Sequence, residues 1–373
     1  NVVSRMVYGN VEKKYLLKWL NCYNNFVKEN LSLQDIKYDE IIYEEQLLKK
    51  NNKKDKEDTN CKLIIKPTHG LANRLRFIAS SYIFANQNNF KLFVYWEKNE
   101  LCSLNYEDLF NKGFLKNISE EDFINYTKNE KIYKSEYSHV NSKINFIKEN
   151  KSNYEGFIIY GGHEFYDNNN KTQFLSEKHN FYKLMNENLN EEIKRNLNLV
   201  LQDLPKEYIS VHFRDYIKKY DETDCINGTF VDFSPIEKFF KLIEQLENEY
   251  KNIPLLILSN NNEIYKKFQI KYPTKKILYL TNGNNNIYEE RNTKSNMIKS
   301  VIEFLLLSRS KLIIGSYSSS FSDEAIYFNN IKKIIPLSDN LSLKLKKSYY
   351  NYYHCLGFNY DNIKDCGILN IIK

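Results

Sequence analysis

The sequence predicts an α/β fold in which two Rossmann-like units face a central cleft, preceded by an N-terminal helical extension. Three observations carry this expectation. From Cys61 onward, short apolar runs of strand length alternate with longer segments of helical period, the pattern of parallel sheets covered by helices on both faces. The alternation comes in two series, separated near Asp203-Leu204-Pro205. Before Cys61 it is absent: Tyr15, Leu16, Trp19, Leu20, Tyr23, Phe26 and Val27 have amphipathic helical spacing, and 49–58 is a solvated charge run. The expected domains are therefore 1–60, a helical extension with a charged linker, and the two Rossmann-like units 61–203 and 204–373.

Residues 62–66 read as a strand because Leu63-Ile64-Ile65 is a continuous apolar run, as in a strand buried on both faces. A helix at 73–88 follows a tight turn at Gly70, and 91–95 is the next strand. Residues 157–160 form a strand that ends in Gly161-Gly162, and 191–201 is helical. The second series opens with strand 208–213, then helix 235–250, strand 255–258 and helix 263–271. Strand 276–280, helix 294–308, strand 311–315 and helix 322–328 complete it. Asn-rich tracts at 168–170 and 284–286 read as loops. Stretches 99–155 and 161–172 show the least pattern and are where an acceptor would be met.

Composition narrows the function classes. With 42% hydrophobic residues among 373 the chain can build a sizeable core. It has no apolar run near the roughly 20 residues that span a bilayer, and its first residues lack a signal-peptide pattern. The net charge of +7 is spread over Lys-Asn-rich stretches with no single basic face, which argues against a nucleic-acid module. Its 30 Tyr and 23 Phe fall in strands and helices, where core packing uses them. Six cysteines contain no CxxC pair, which argues against zinc. Cys355 and Cys366 fit either a tail disulfide or two free thiols. The sequons at Asn117 and Asn227 arise readily in an Asn-rich chain and leave the compartment open.

Of 54 basic residues only seven are arginine. Lysine serves wherever a generic positive charge suffices, so each arginine is a candidate for work that needs a planar, bidentate fork. Two of them stand in the stretch THGLANRLRFIAS, where a strand, the turn at Gly70 and a helix starting near Asn73 place backbone N–H groups at an electropositive helix end. Asn73, Arg74 and Arg76 add donors; a purely structural turn is the alternative. A third arginine ends the strand ISVHFRD, where alternation puts His212 and Arg214 opposite Val211 and Phe213. An arginine buried there needs an anion, either Asp215 or a ligand phosphate. In SVIEFLLLSRS, Glu303 lies on an otherwise apolar helix and Arg309 closes it. The turn GSYSSSFSD offers five serines, for helix capping or for phosphate.

Together these clusters describe a cleft with arginine, hydroxyls and helix N-termini suited to a diphosphate. No DxD flanked by apolar residues is present to hold a divalent metal. That combination points to a metal-independent nucleotide-sugar transferase in which protein cations stabilise the leaving group.

In this order the motifs resemble the fucosyltransferase superfamily that includes the core α1,6- and protein O-fucosyltransferases. The resemblance covers most of 61–330. THGLANRLRFIAS is similar to its glycine-rich loop, SVHFRD to its HxR motif, LILSNNNE to its "ATDD" strand end, and SVIEFLLLSRSKLIIGSYSSSFSDEA to its donor-site region. It implies a GT-B enzyme that uses GDP-fucose with inversion and no cofactor or metal, the unit 61–203 facing the acceptor and 204–373 holding the donor. Carried over by position, Arg214 would grip the phosphates and stabilise the GDP leaving group, with His212 against the nucleotide. Glu303 would accept hydrogen bonds from guanine; Ser318, Ser319 and Ser320 would bind phosphate. Gly70 and Asn73 would meet the sugar and diphosphate, with Arg74 or Arg76 reaching an anion. His69 stands where some members carry a glutamate proposed as base. The chain departs from the family pattern at Ala72, Asp215, Asn260 to Asn262 and Glu303.

The expected partners are a nucleotide sugar and a glycan or protein acceptor, with no nucleic acid and no membrane span. The alternatives are a transferase for another nucleotide sugar, and a non-catalytic nucleotide- or glycan-binding protein on the same fold.

Overall fold

The computed structural model describes residues 61–135, 140–166, 171–215, 230–279, 293–339 and 368–371. The expected N-terminal helix, the charge run 49–58, both Asn-rich tracts, the sequon at Asn227 and both tail cysteines lie outside the described residues.

The first sheet contains β1 (Lys62–Pro67), β2 (Lys91–Val94), β3 (Ile132–Lys134) and β4 (Gly156–Gly161), all parallel, in the order β2-β1-β4-β3. Its helices are α1 (Leu71–Gln87), α2 (Tyr106–Leu109), α3 (Glu120–Lys128) and α4 (Val140–Glu149). Helices α5 (Lys171–Glu187) and α6 (Glu191–Asp203) lead onward. The second sheet contains β5 (Ile209–Phe213), β6 (Leu255–Ser259), β7 (Ile277–Tyr279), β8 (Leu312–Gly315), β9 (Lys333–Pro336) and β10 (Ile368–Ile371). Its order is β10-β9-β8-β5-β6-β7, parallel except for β10. Between its strands come α7 (Phe230–Phe233), α8 (Ile236–Leu246), α9 (Asn262–Lys271), α10 (Lys294–Leu307) and α11 (Ser320–Asn329).

The central strands are apolar throughout because both faces of each sheet are covered. In β1, Leu63 and Ile65 join the core under α1, while Ile64 packs with Phe93, Phe123 and Ile158 on the other face. In β5, Ile209, Val211 and Phe213 pack with Phe239, Leu242 and Phe268 of α8 and α9. Leu256, Leu258 and Ile313 face the opposite way, into the same core as Leu63, Ile65 and Phe77. The two sheets thus share one apolar interior.

Helix α11 runs through that interior, buried from Ser322 to Phe328, and packs on α1, α5 and α10. It carries two adjacent acids, each met by a buried lysine. Glu324 Oε2 lies 2.9 Å from Lys178 Nζ and accepts a hydrogen bond from Tyr182 Oη at 2.6 Å. Lys178 also pairs with Glu164 and sits 4.0 Å from the centre of the Tyr327 ring. Asp323 Oδ1 lies 2.5 Å from Lys333 Nζ, which donates to Ser322 Oγ at 2.8 Å. Burial opposes the charge on Lys178, but Glu164 and Glu324 outweigh it and raise its pKa.

Several elements were not expected from the sequence. α5 went unread because Lys178 occupies a core position: Phe174, Lys178, Phe181, Tyr182 and Met185 form its buried face. Lys333 disguised β9 in the same way, being 0% exposed within KIIP. The stretch 99–155 holds α2, α3, β3 and α4, short elements with little apolar surface; in α3 only Phe123 is buried.

The buried network gives a stability prediction. Replacing Lys178 by Met leaves two carboxylates in the interior without their cation, and should cost about 3–5 kcal/mol in urea unfolding. Replacing Lys266, whose pair with Glu263 is 63% exposed on both sides, should cost under about 1 kcal/mol. Equal losses would show that the buried network is not a special constraint.

Candidate active site

Two groups of polar residues gather past the carboxyl ends of strands, where ligands bind in open α/β sheets. The first lies between β1 and α1. Thr68 N donates to Gly161 O at 2.7 Å, tying the turn to the end of β4. His69 follows with φ 68°, in the left-handed region. The turn expected at Gly70 is therefore made by His69. Gly70 is the N-cap of α1 with an ordinary φ of −74° and no side-chain cap. A Cβ at Gly70 would meet nothing within 4 Å, so the fold does not require glycine there and the space above the helix end is open.

The three polar side chains of the loop separate by role. Arg74 is 0% exposed. Its Nε donates to His69 O at 2.8 Å, its Nη1 to Glu97 O at 2.6 Å, and its guanidinium stacks 4.9 Å from the Trp96 ring. Arg74 therefore holds the left-handed turn in place. Arg76 is half-buried and donates to Asn73 Oδ1 and, at 3.1 Å, to Gly162 O. With its oxygen so engaged, Asn73 has Nδ2 to offer a ligand. Gly162 is required sterically: a Cβ there would lie 2.7 Å from His69 Nδ1 and 2.9 Å from Thr68 O.

His69 Nδ1 is 2.8 Å from Thr68 Oγ1. Burial, and then the charge of Arg76, push its pKa below the ordinary histidine value, so the imidazole is neutral near pH 7. The His163 ring lies 6.0 Å from it between centroids.

The second group collects at the ends of β5, β6, β7 and β8. Arg214, just past β5, donates its main-chain N–H to Ser316 Oγ at 2.9 Å. The alternative partner for Arg214, Asp215, accepts from Asn261 Nδ2 at 2.5 Å. Tyr279 Oη donates to Asn262 Oδ1. Burial and then the charge of Glu303 raise Tyr279's pKa to about 12. Glu303 is half-buried, with Lys299 Nζ 3.7 Å away one turn earlier on α10. Arg309 donates Nη1 to Leu305 O at 3.1 Å and closes α10.

In the serine turn, Ser318 is left-handed at φ 55°. Ser319 is the N-cap of α11, yet its own side chain makes no capping bond, so N-cap bonding by Ser319 does not explain the run of hydroxyls. Beneath the turn lies Lys333, a residue the sequence reading missed. Gly315 admits it: a Cβ there would come 2.6 Å from Lys333 Cε. The His212 ring lies 5.3 Å from that of Phe321 in the first turn of α11, tilted by 31°. Its Nδ1 is buried without a hydrogen-bond partner among the described residues. Burial, then Arg214 and Lys333, hold its pKa well below the ordinary value.

The charge of Arg76 acts on Glu164, whose pKa burial raises against the pull of Lys178. Glu324, on the same lysine, stands about one turn beyond Ser319 and Ser320.

No family model matches the chain, and no curated protein does. Solved structures similar to it include a mutant of Arabidopsis thaliana FUT1 in complex with GDP. It is 16% identical over 86% of this chain and 78% of that one, with a TM-score of 0.49. POFUT1 in complex with GDP is 11% identical, over 72% of this chain and 94% of that one, with a TM-score of 0.49. The fucosyltransferase NodZ from Bradyrhizobium is 11% identical, over 74% and 95%, with a TM-score of 0.47. Likeness of this degree assigns no role to any residue here.

The state of His212 predicts an acid limb in stability. The folded protein keeps it neutral, whereas the unfolded chain takes a proton below about pH 6.5. Its effect is therefore nil well above that pH and destabilising below it. Stability should fall as the pH drops through about 6.5, by an amount on the order of 1 kcal/mol per pH unit below it. Chemical unfolding of the His212→Phe variant should show a shallower acid limb; an unchanged limb would place the titration elsewhere.

Proposed function

We propose that this chain is an inverting glycosyltransferase that moves fucose from GDP-fucose to a glycan or protein hydroxyl without a metal ion. The observation that supports this reading is the cradle past β5. Arg214 has its main chain tied to Ser316, and beside it stands the N-terminus of α11, whose N-cap Ser319 makes no side-chain capping bond. A diphosphate supplies the negative charge that such a helix end and an arginine favour.

In the reaction the acceptor oxygen attacks the anomeric carbon from the face opposite the diphosphate. The new C–O bond forms as the bond to GDP breaks, and the electron pair leaves with the diphosphate. Arg214, the first N–H groups of α11 and the hydroxyls of Ser318, Ser319 and Ser320 stabilise that developing charge. His212 lies against the nucleotide, and Glu303 accepts from the N1–H and N2–H of guanine. The open space above Gly70 admits the sugar, to which Asn73 Nδ2 donates. The acceptor proton passes to His69 Nε2, provided Nδ1–H donates to Thr68 Oγ1.

Calorimetry tests the donor site. GDP should bind equally with and without EDTA, and more tightly than UDP by a margin that falls in Glu303→Gln. Arg214→Ala should weaken GDP by about 1.5–3 kcal/mol, and Arg214→Lys should recover only part of it because the fork is lost. Binding abolished by EDTA, or an indifferent Arg214→Ala, would overturn the reading.

The base is tested separately. His69→Ala should leave GDP affinity near normal while lowering turnover of GDP-fucose roughly 10²–10⁴-fold. Turnover within a few-fold of the parent removes His69 from the mechanism. GDP binding with no transfer or donor hydrolysis in the parent protein marks a non-catalytic binder.

A further inference from the structure

The guanidinium of Arg214 leaves the chain at a point where the main chain is gripped from two directions. On one side Arg214 N–H donates to Ser316 Oγ at 2.9 Å, and Ser316 N donates to His212 O at 3.0 Å. This joins the end of β5 to the end of β8. On the other side stands Asn260, which follows β6. Its Oδ1 accepts from Asp215 N at 2.9 Å, and its Nδ2 donates to Asp215 O at 2.5 Å. One side-chain amide therefore satisfies both main-chain groups of the residue next to Arg214, as a neighbouring strand would. The complementary donor and acceptor fix which way the amide faces.

Asn261 completes the grip. Its Nδ2 donates to the Asp215 carboxylate, while its Oδ1 accepts from Glu263 N at 2.9 Å and so caps α9. The Asp215 side chain is thereby held towards β6. Strand β5 has ended at Phe213, and the parallel ladder to β6 runs only to the pair Phe213–Ser259. Beyond it, Asn260 supplies by side chain what the ladder no longer supplies by backbone.

We propose that Asn260 is a positioning residue for Arg214, extending the order of the sheet by one residue so that the guanidinium meets an anionic ligand in a fixed direction. This rests on the donor-site reading above. Asparagine is specific to the task. Aspartate could accept from Asp215 N but would set its second oxygen against Asp215 O, next to the Asp215 carboxylate. Alanine would leave both main-chain groups of Asp215 to water.

The test has a ligand-free arm and a binding arm. Hydrogen exchange at the Asp215 amide should quicken in Asn260→Ala, which removes its acceptor. In calorimetry Asn260→Ala should weaken GDP about tenfold, the effect of losing roughly 1.4 kcal/mol of ordering, while guanosine, which has no phosphate, is unaffected. In the Arg214→Ala background the same change should have no further effect on GDP, since a residue acting through Arg214 cannot be additive with it. A merely structural role would instead lower unfolding stability equally in both backgrounds and weaken GDP and guanosine alike. Unaltered exchange overturns the grip; altered exchange with unaltered or additive GDP binding overturns the positioning. A parent protein that binds no GDP overturns the donor-site reading and the positioning role together, and is seen before any variant is made. Should Asn260→Ala fail to fold, Ser316→Ala removes the grip on the Arg214 amide from the other side and is read against the same outcomes.

Discussion

Helix α11 is buried on every side and carries two neighbouring acids, Asp323 and Glu324, into an apolar interior. An uncompensated charge there costs several kcal/mol, a large part of the 5–15 kcal/mol that typically separates folded from unfolded chains. Both acids are answered, by Lys333 from its own sheet and by Lys178 from α5. These two contacts fix where α11 lies and how it is turned. The positions of Ser319 and Ser320, and of Phe321 against His212, follow from that.

The same economy divides the arginines. Arg74 and Arg309 bond to main-chain carbonyls and serve the fold. Arg214 stands past a strand end with its backbone fixed, and Arg76 links α1 to Gly162. Around His212, burial and then the cations Arg214 and Lys333 keep the imidazole neutral. A neutral ring can lie against a nucleotide without adding a charge that titrates near neutral pH, so the positive potential of the site comes from groups that do not switch.

Much of the fold was legible because buried parallel strands read as unbroken apolar runs. β1, β5, β6 and β8 fall where those runs stand, and the helices that follow them were placed within a few residues. Legibility failed where a lysine occupied a core position, since Lys178 and Lys333 turn a buried face into an apparently polar one. In the site, the HxR strand end and the serine turn were visible as sequence. What Arg74 does was not, because two arginines two residues apart look alike until the turn that one of them holds is known. The departures at Asp215 and at Asn260 and Asn261 also looked independent. They are in contact, the asparagine amides matching the backbone and carboxylate of Asp215.

The pairing of Lys178 with Glu164 and Glu324 bears on modularity. Lys178 and Glu164 belong to the chain that precedes the second sheet, and Glu324 follows four of its strands. A fragment ending after α6 would retain Lys178 with one carboxylate and an apolar surface stripped of α11. A fragment starting at β5 would hold Glu324 without Lys178 and with the Tyr182 hydroxyl gone. Each piece alone would leave part of this network unanswered, so recombination with a homologue at the junction between them should favour parents that share the same buried triad.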